Sequence, residues 1–290
     1  MLIRSVAIIG VGSMGAPIAR RLAVGGFNVM VCDADAASTA RLGLPVAANP
    51  RDCAASDVVI VLVASPPQVR EVVLGPAGIR TGDGHRPIVA IMSTTPAALM
   101  HELQAALGPG WNLLDAPISG GVTGAEQGRL SVMAGGDPTL FTALRPVLAA
   151  FASGIFHCGP LGAGQAVKIA NNVVGVASAV LAAEAYRLAT AQGLDITQAA
   201  RIFEAGSGRS AFSANPDGVA AKYGAMAQDP RSFRQLIAIM RKDIGFASEM
   251  AHAMGGDFPG IAGLLGIINT VGDETCETWR RIAGSAGEGR

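Results

Sequence analysis

The 290-residue chain is half apolar and only 15% charged, with 22 basic residues balancing 22 acidic ones. A sparsely charged, neutral chain has no electrostatic case for gripping nucleic acid or an anionic membrane. The expected partners are therefore small molecules or further copies of the chain, and the length is ample for two medium-sized cores.

Along the first half, short apolar runs rich in Val and Ile overall, at residues 5–9, 29–32, 58–63, 88–92 and 113–115, predict strands. They are apolar at nearly every position, as expected of parallel strands covered on both faces. Helical patterns lie between them, for example over 16–24 and 67–74, so the alternation predicts a parallel sheet with helices on both faces. Two more short strands are predicted at 131–134 and 155–157. No presequence is expected, because the apolar run starts so early.

Beyond Gly162 the strand signal ends. A helix is predicted from Gln165 to about Gln192, stopped by Gly193, followed by helices over 196–204, 230–254 and roughly 259–281. The apolar stretch 169–183 reads as a buried helix, too short and too polar to span a membrane. Trp279-Arg280-Arg281 reads as a docking or solvated helix end, and the Gly-rich tail after Ile282 as frayed. The domain boundary is placed at the turn Gly159-Pro160-Leu161-Gly162, giving domains 1–162 and 163–290. Cys32, Cys53, Cys158 and Cys276 form neither a C-x-x-C pair nor a zinc-like cluster. They read as reduced thiols of a cytoplasmic protein, and no metal is expected.

Three segments carry chemistry. Gly10-Val11-Gly12-Ser13-Met14-Gly15 follows a predicted strand and opens a predicted helix. In that context the first glycine permits the tight turn, the second lets the backbone approach a pyrophosphate, and the third lets helix and strand pack closely. Asp33 ends the next strand, where a carboxylate accepts hydrogen bonds from ribose hydroxyls and repels a 2′-phosphate; a strand-end cap is the plainer alternative. Ala34 follows it, so no arginine waits for that phosphate, and NAD is expected in preference to NADP. Asp35 reads as a turn or N-cap residue.

The second segment is Asp115-Ala116-Pro117-Ile118-Ser119-Gly120-Gly121. It is either a carboxylate cradle, made of a hydroxyl and bare backbone N–H groups, or an ordinary glycine loop. The third runs from Gly162 to Asn172. Lys168 and Asn172 are four apart and share a helix face. They serve either as a proton donor with its orienting amide or as a snorkelling lysine beside a packing amide.

These segments, in order and with a late Lys242-Asp243, resemble the β-hydroxyacid dehydrogenase family over nearly the whole chain. That family includes 3-hydroxyisobutyrate dehydrogenase, tartronate semialdehyde reductase and glyoxylate/succinic semialdehyde reductases, and is related to 6-phosphogluconate dehydrogenase. The resemblance implies a Rossmann-like α/β N-terminal domain, an all-α C-terminal domain and a long interdomain helix linking them. It implies Lys168 as catalytic general acid/base with Asn172 beside it. Ser119, Gly120 and Gly121 would hold the carboxylate of a small 3-hydroxyacid or related hydroxycarboxylate. The Gly10–Gly15 loop, Asp33, Val63, Ala64, Gln68, Thr94 and Lys242 would contact NAD. Val63-Ala64 departs from the family's usual Leu-Pro pair. A homodimer or homotetramer is implied as well. Two other readings are an imine reductase on the same scaffold, against which Lys168 argues, and a non-catalytic NAD-binding protein, against which the retained Lys168, Asn172 and Ser119 argue.

Overall fold

Short apolar runs build the first half of the chain into one sheet. In the computed structural model, which describes residues 2–82 and 84–284, the order is β1 (Ser5–Ile9), α1 (Gly15–Val24), β2 (Asn28–Cys32), α2 (Ala36–Ala40), α3 (Pro50–Cys53), β3 (Val58–Val61), α4 (Pro66–Leu74), β4 (Ile88–Ile91), α5 (Ala97–Leu107), β5 (Asn112–Asp115), β6 (Ile118–Ser119), α6 (Gly121–Gln127), β7 (Leu130–Gly135), α7 (Pro138–Ala149) and β8 (Ala152–Gly159). The strands lie in the order β2-β1-β3-β4-β5-β7-β6, with β8 also paired to β7. The chain is thus a Rossmann-like α/β unit followed by a helical one.

Alternate residues of each strand enter two different cores. Val6, Ile8, Val58, Ile60, Ile88 and Ala90 pack with Ile18 and Leu22 of α1 and Leu144, Val147 and Leu148 of α7. Their neighbours Ala7, Ile9, Val59, Val61, Val89 and Ile91 pack with Val69 and Val73 of α4 and Leu99, Leu103 and Leu107 of α5. This is the two-residue period of a strand covered on both faces, and each large aliphatic side chain so buried contributes about 1.5–3 kcal/mol.

The expected all-parallel sheet holds for β1 to β5 and needs correction beyond them. The strand β7 runs antiparallel to β5 and β6, and only β8 returns parallel to β7. A parallel return needs a crossover of about a dozen residues. The connection from β6 to β7 is the seven-residue α6, closed by Gly128 in the left-handed region at φ 68°, so the chain reverses instead.

The second half continues with α8 (Ala163–Ala191), α9 (Ile196–Ala205), α10 (Val219–Met226), α11 (Pro230–Ala253), α12 (Pro259–Thr270) and α13 (Asp273–Gly284). Asp195 and Asp229 cap α9 and α11, each carboxylate accepting two backbone N–H groups of the first turn. The single helix expected over 259–281 is two helices, because Val271 takes an extended conformation and turns its side chain into the core. Trp279 is no docking residue: it is 1% exposed and stands edge-on to Tyr223 and Phe233. The stretch after α9 is pinned the same way, with Phe212 in the core and its carbonyl accepting from Tyr186 Oη at 2.8 Å. The remainder of the Gly-rich tail after Gly284 lies outside the described residues.

By packing, the chain divides into Met1–Lys168 and Ile169–Arg290, so the division falls within α8. That helix also corrects the sequence reading of its apolar stretch. It runs for 29 residues and by length and composition is long and apolar enough to cross a membrane, although a third of its most apolar window is buried. The helix outgrows the apolar run because it takes in Gln165 and Lys168 at one end and Glu184 and Arg187 at the other.

Candidate active site

The strand order reverses between β1 and β3, the point at which an open α/β sheet has a crevice beyond its strand ends. There lies a cavity of ≈ 490 Å³ lined by residues from the ends of β1, β2 and β3 and from α4. It brings together Gly10, Gly12, Asp33, Ala34, Val63, Ala64 and Gln68. The three loop glycines are held for different reasons. A Cβ on Gly10, whose φ is +94°, would stand 2.4 Å from Leu62 O, and one on Gly15 would stand 2.0 Å from Gly10 O. A Cβ on Gly12 would meet nothing within 4 Å. The outer glycines are required by the turn itself, while the middle one leaves a bare, exposed backbone facing open space at the start of α1. That is the arrangement a dinucleotide pyrophosphate needs, so the residues present fit such a cofactor.

Asp33 is half-buried and already doubly engaged. Its Oδ2 accepts from Val11 N–H at 2.7 Å and its Oδ1 from Asp35 N–H at 2.9 Å. It therefore ties the glycine loop to the end of β2, and the residue lines the cavity. Asp35 is the N-cap of α2, and the Ser38 hydroxyl and Ala37 N–H hold its carboxyl below the usual carboxylate range. Gln68 is partly committed as well: its Oε1 accepts from Ala64 N–H and Ser65 N–H at 3.0 and 3.1 Å, closing a capping box on α4. Within the loop, Val11 is buried, Met14 half-buried and Ser13 exposed.

The Ser119-Gly120-Gly121 segment leaves the short strand β6. Gly120 and Gly121 have φ of +130° and +64°, conformations that L side chains avoid. Gly121 is exposed with open space where a Cβ would be, and Ser119 is half-buried. Thr94 is half-buried after β4 in the same unit.

Lys168 is 8% exposed, in the second turn of α8. The turn before it is anchored by two fully buried side chains, Asp115 and Gln165. Asp115 accepts from Gly162 N–H at 2.6 Å and Gln165 N–H at 2.7 Å. Burial pushes its carboxyl above the usual range, and backbone N–H groups that face it pull the other way. In the second unit, Asn172 donates from Nδ2 to Asp243 Oδ2 at 2.7 Å. Asp243 Oδ1 lies 3.2 Å from Lys242 Nζ, an ion pair that lacks hydrogen-bond geometry. Asn172 and Lys242 thus converge on one buried carboxylate, which the sequence reading quoted without assigning it any part. An acid at a mostly apolar helix position, beside a lysine, was the available signal. For Asp115 the signal was an acid ending an apolar strand.

Comparison with known proteins covers both halves. Residues 5–159 match the family described as the NAD binding domain of 6-phosphogluconate dehydrogenase. Residues 162–278 match that described as NAD-binding of NADP-dependent 3-hydroxyisobutyrate dehydrogenase. A 3-hydroxyisobutyrate dehydrogenase from Pseudomonas aeruginosa is 33% identical over 269 residues, covering 88% of this chain and 87% of its own. An NAD-dependent L-serine dehydrogenase from the same organism is 32% identical over 262 residues, covering 88% of each chain. The crystal structure of a 3-hydroxyisobutyrate dehydrogenase from Salmonella typhimurium superposes with a TM-score of 0.78 at 30% identity, over 96% of this chain and 99% of that one.

Proposed function

Because this chain belongs to the β-hydroxyacid dehydrogenase family, and is by that membership an NAD(P)-binding hydroxyacid dehydrogenase, we propose that it interconverts a small 3-hydroxyacid and its semialdehyde or oxo form with Lys168 as general acid/base. The observation that carries this reading is Lys168 itself, a buried lysine on an anchored helical turn. Burying a lysine costs desolvation free energy, and a buried amine on a fixed turn is held ready for proton transfer at one place.

The bound cofactor supplies the redox chemistry. The chain's own residues do the rest. Ser119 Oγ and the N–H groups of Gly120 and Gly121 hold the substrate carboxylate. Lys168 Nζ takes the hydroxyl proton in oxidation and returns it in reduction, and Asn172 orients the amine. Asp243 holds Asn172 in turn through the 2.7 Å hydrogen bond. The Gly10–Gly15 loop, with Val11, Ser13 and Met14, takes the pyrophosphate. Asp33 takes the adenosine ribose, Val63, Ala64 and Gln68 line the adenine side, and Thr94 and Lys242 serve the nicotinamide end. The preference is for NAD, because Asp33 and Ala34 line the cavity where an NADP-binding site would offer a cation.

The functional domains are 1–162 and 163–290. The protein works in the cytoplasm as a homodimer or homotetramer, and the exposed Val174, Leu181 and Leu188 of α8 support that self-association. The test is NADH formation from a panel of small hydroxyacids by the wild type and Lys168→Ala. The variant should lose about 10²–10⁴-fold in kcat and keep its affinity for NAD; an unchanged kcat overturns the assignment.

A further inference from the structure

Gln165 makes contacts that its place in the sequence does not foretell. Its side chain is fully buried, yet both ends of the amide are satisfied. Oε1 accepts from Thr95 N–H at 3.0 Å, and Nε2 donates to Ser93 O at 2.8 Å. Those two backbone groups flank Thr94. Three residues further along α8 stands Lys168. One amide therefore grips the chain on both sides of one candidate site residue and sits on the helical turn that presents another.

The turn itself has no freedom to shift. The first N–H groups of a helix lack partners within it; here a carboxylate from the end of β5 takes two from this segment, those of Gly162 and Gln165. The packing is too close for side chains at the crossing. A Cβ on Gly164 would lie 2.1 Å from Met133 O and 2.7 Å from Asp115 Oδ2, and one on Gly135 would lie 2.6 Å from Asp115 Oδ1.

We propose that Gln165 is a positioning residue, which fixes the distance between Thr94 and Lys168 and is itself held by Asp115. The proposal rests on the assignment of Lys168 as the acid/base. Misplacing a reacting group by about 1 Å can cost on the order of 10²-fold in rate, which sets the scale of the expected loss.

Two variants test it, with Lys168→Ala and titration of NAD run in parallel. Gln165→Met keeps the length and loses both hydrogen bonds. It should lower kcat about ten- to hundredfold at every pH, using 3-hydroxyisobutyrate or L-serine, with NAD affinity within about twofold of wild type. Gln165→Glu restores the pair of bonds only when protonated, because the acid form has both a carbonyl acceptor and an O–H donor. Its kcat should hold at low pH and fall as the new carboxyl ionises, adding a limb absent from the wild-type profile. A purely structural part would move stability and leave no such limb. Independently of turnover, Gln165→Met with NAD bound should show faster hydrogen exchange at the Thr95 amide. Wild-type kcat in Gln165→Met, a Gln165→Glu profile superimposable on wild type, or unchanged exchange at Thr95 overturns the proposal. If Lys168→Ala keeps full turnover, the acid/base assignment fails on its own account, whatever Gln165 does.

Discussion

At the scale of single residues, the glycine loop separates what the fold needs from what a ligand needs. Gly10 and Gly15 are walled in by Leu62 O and Gly10 O, whereas Gly12 faces open space. Gly15→Ala is expected to destabilise the first unit severely, while Gly12→Val leaves the melting temperature of the cofactor-free protein unchanged and abolishes its rise on adding NAD. Thermal melts with and without NAD check both. Asp33 and Ala34 give a second prediction. The double change Asp33→Ala with Ala34→Arg removes the carboxylate that repels a 2′-phosphate and adds a cation to bind it. The ratio of kcat/KM for NAD over NADP should fall by at least about tenfold, the equivalent of one charge-assisted contact of roughly 1.4 kcal/mol. Asp33 was legible because a strand end following a glycine loop is a local pattern. Gln165 was not, since its partners Ser93 and Thr95 lie 72 and 70 residues away, and no spacing in the sequence records that they meet.

At the scale of elements, strands were read most closely where both faces are buried. The run Ser5–Ile9 is the strand as expected, because five consecutive apolar or small residues between Arg4 and Gly10 leave no other register. The two-residue β6 carries no period to detect, and the short α6 after it was too small to signal that β7 turns back. Helix starts were legible from their caps. Asp229 accepts from Ser232 and Arg231 N–H at the head of α11, and the Ser232 side chain and backbone hold its carboxyl below the usual range. A carboxyl whose folded pKa is depressed stabilises the fold above its unfolded pKa of about 3.9, and that contribution is lost as pH falls through the folded value. Asp229→Ala should therefore melt slightly lower than wild type at pH 7, with the two curves converging below about pH 4. The break between α12 and α13 was missed because Val271 is apolar and fits a continuous helical period. Only its place in the core favours the extended conformation that ends α12.

At the scale of the whole molecule, the sequence made the α/β-then-α order plain through the loss of strand signal after Gly162. Where the packing divides is a matter of long-range contacts, and it falls after Lys168. The second unit presents an apolar row on α8, where Val174, Leu181 and Leu188 are 67%, 51% and 73% exposed. Leu181→Glu combined with Val174→Glu should shift sedimentation toward the monomer if these side chains are covered in the assembly, and leave NAD binding to the first unit intact. An unchanged sedimentation coefficient would remove this face from the interface.

The anchoring of α8 by Asp115 also bears on where the chain can be cut. A fragment ending at residue 159, the limit of the first family match, would lack Gly162 and Gln165, the two backbone donors to Asp115. Its carboxylate would lose both bonds, and a hydrogen bond to a charged group contributes about 1.5–3 kcal/mol. A fragment ending a full turn beyond Lys168 would retain both donors. The first unit thus includes the opening turn of α8 and is complete only when the chain has run past the last strand to Lys168.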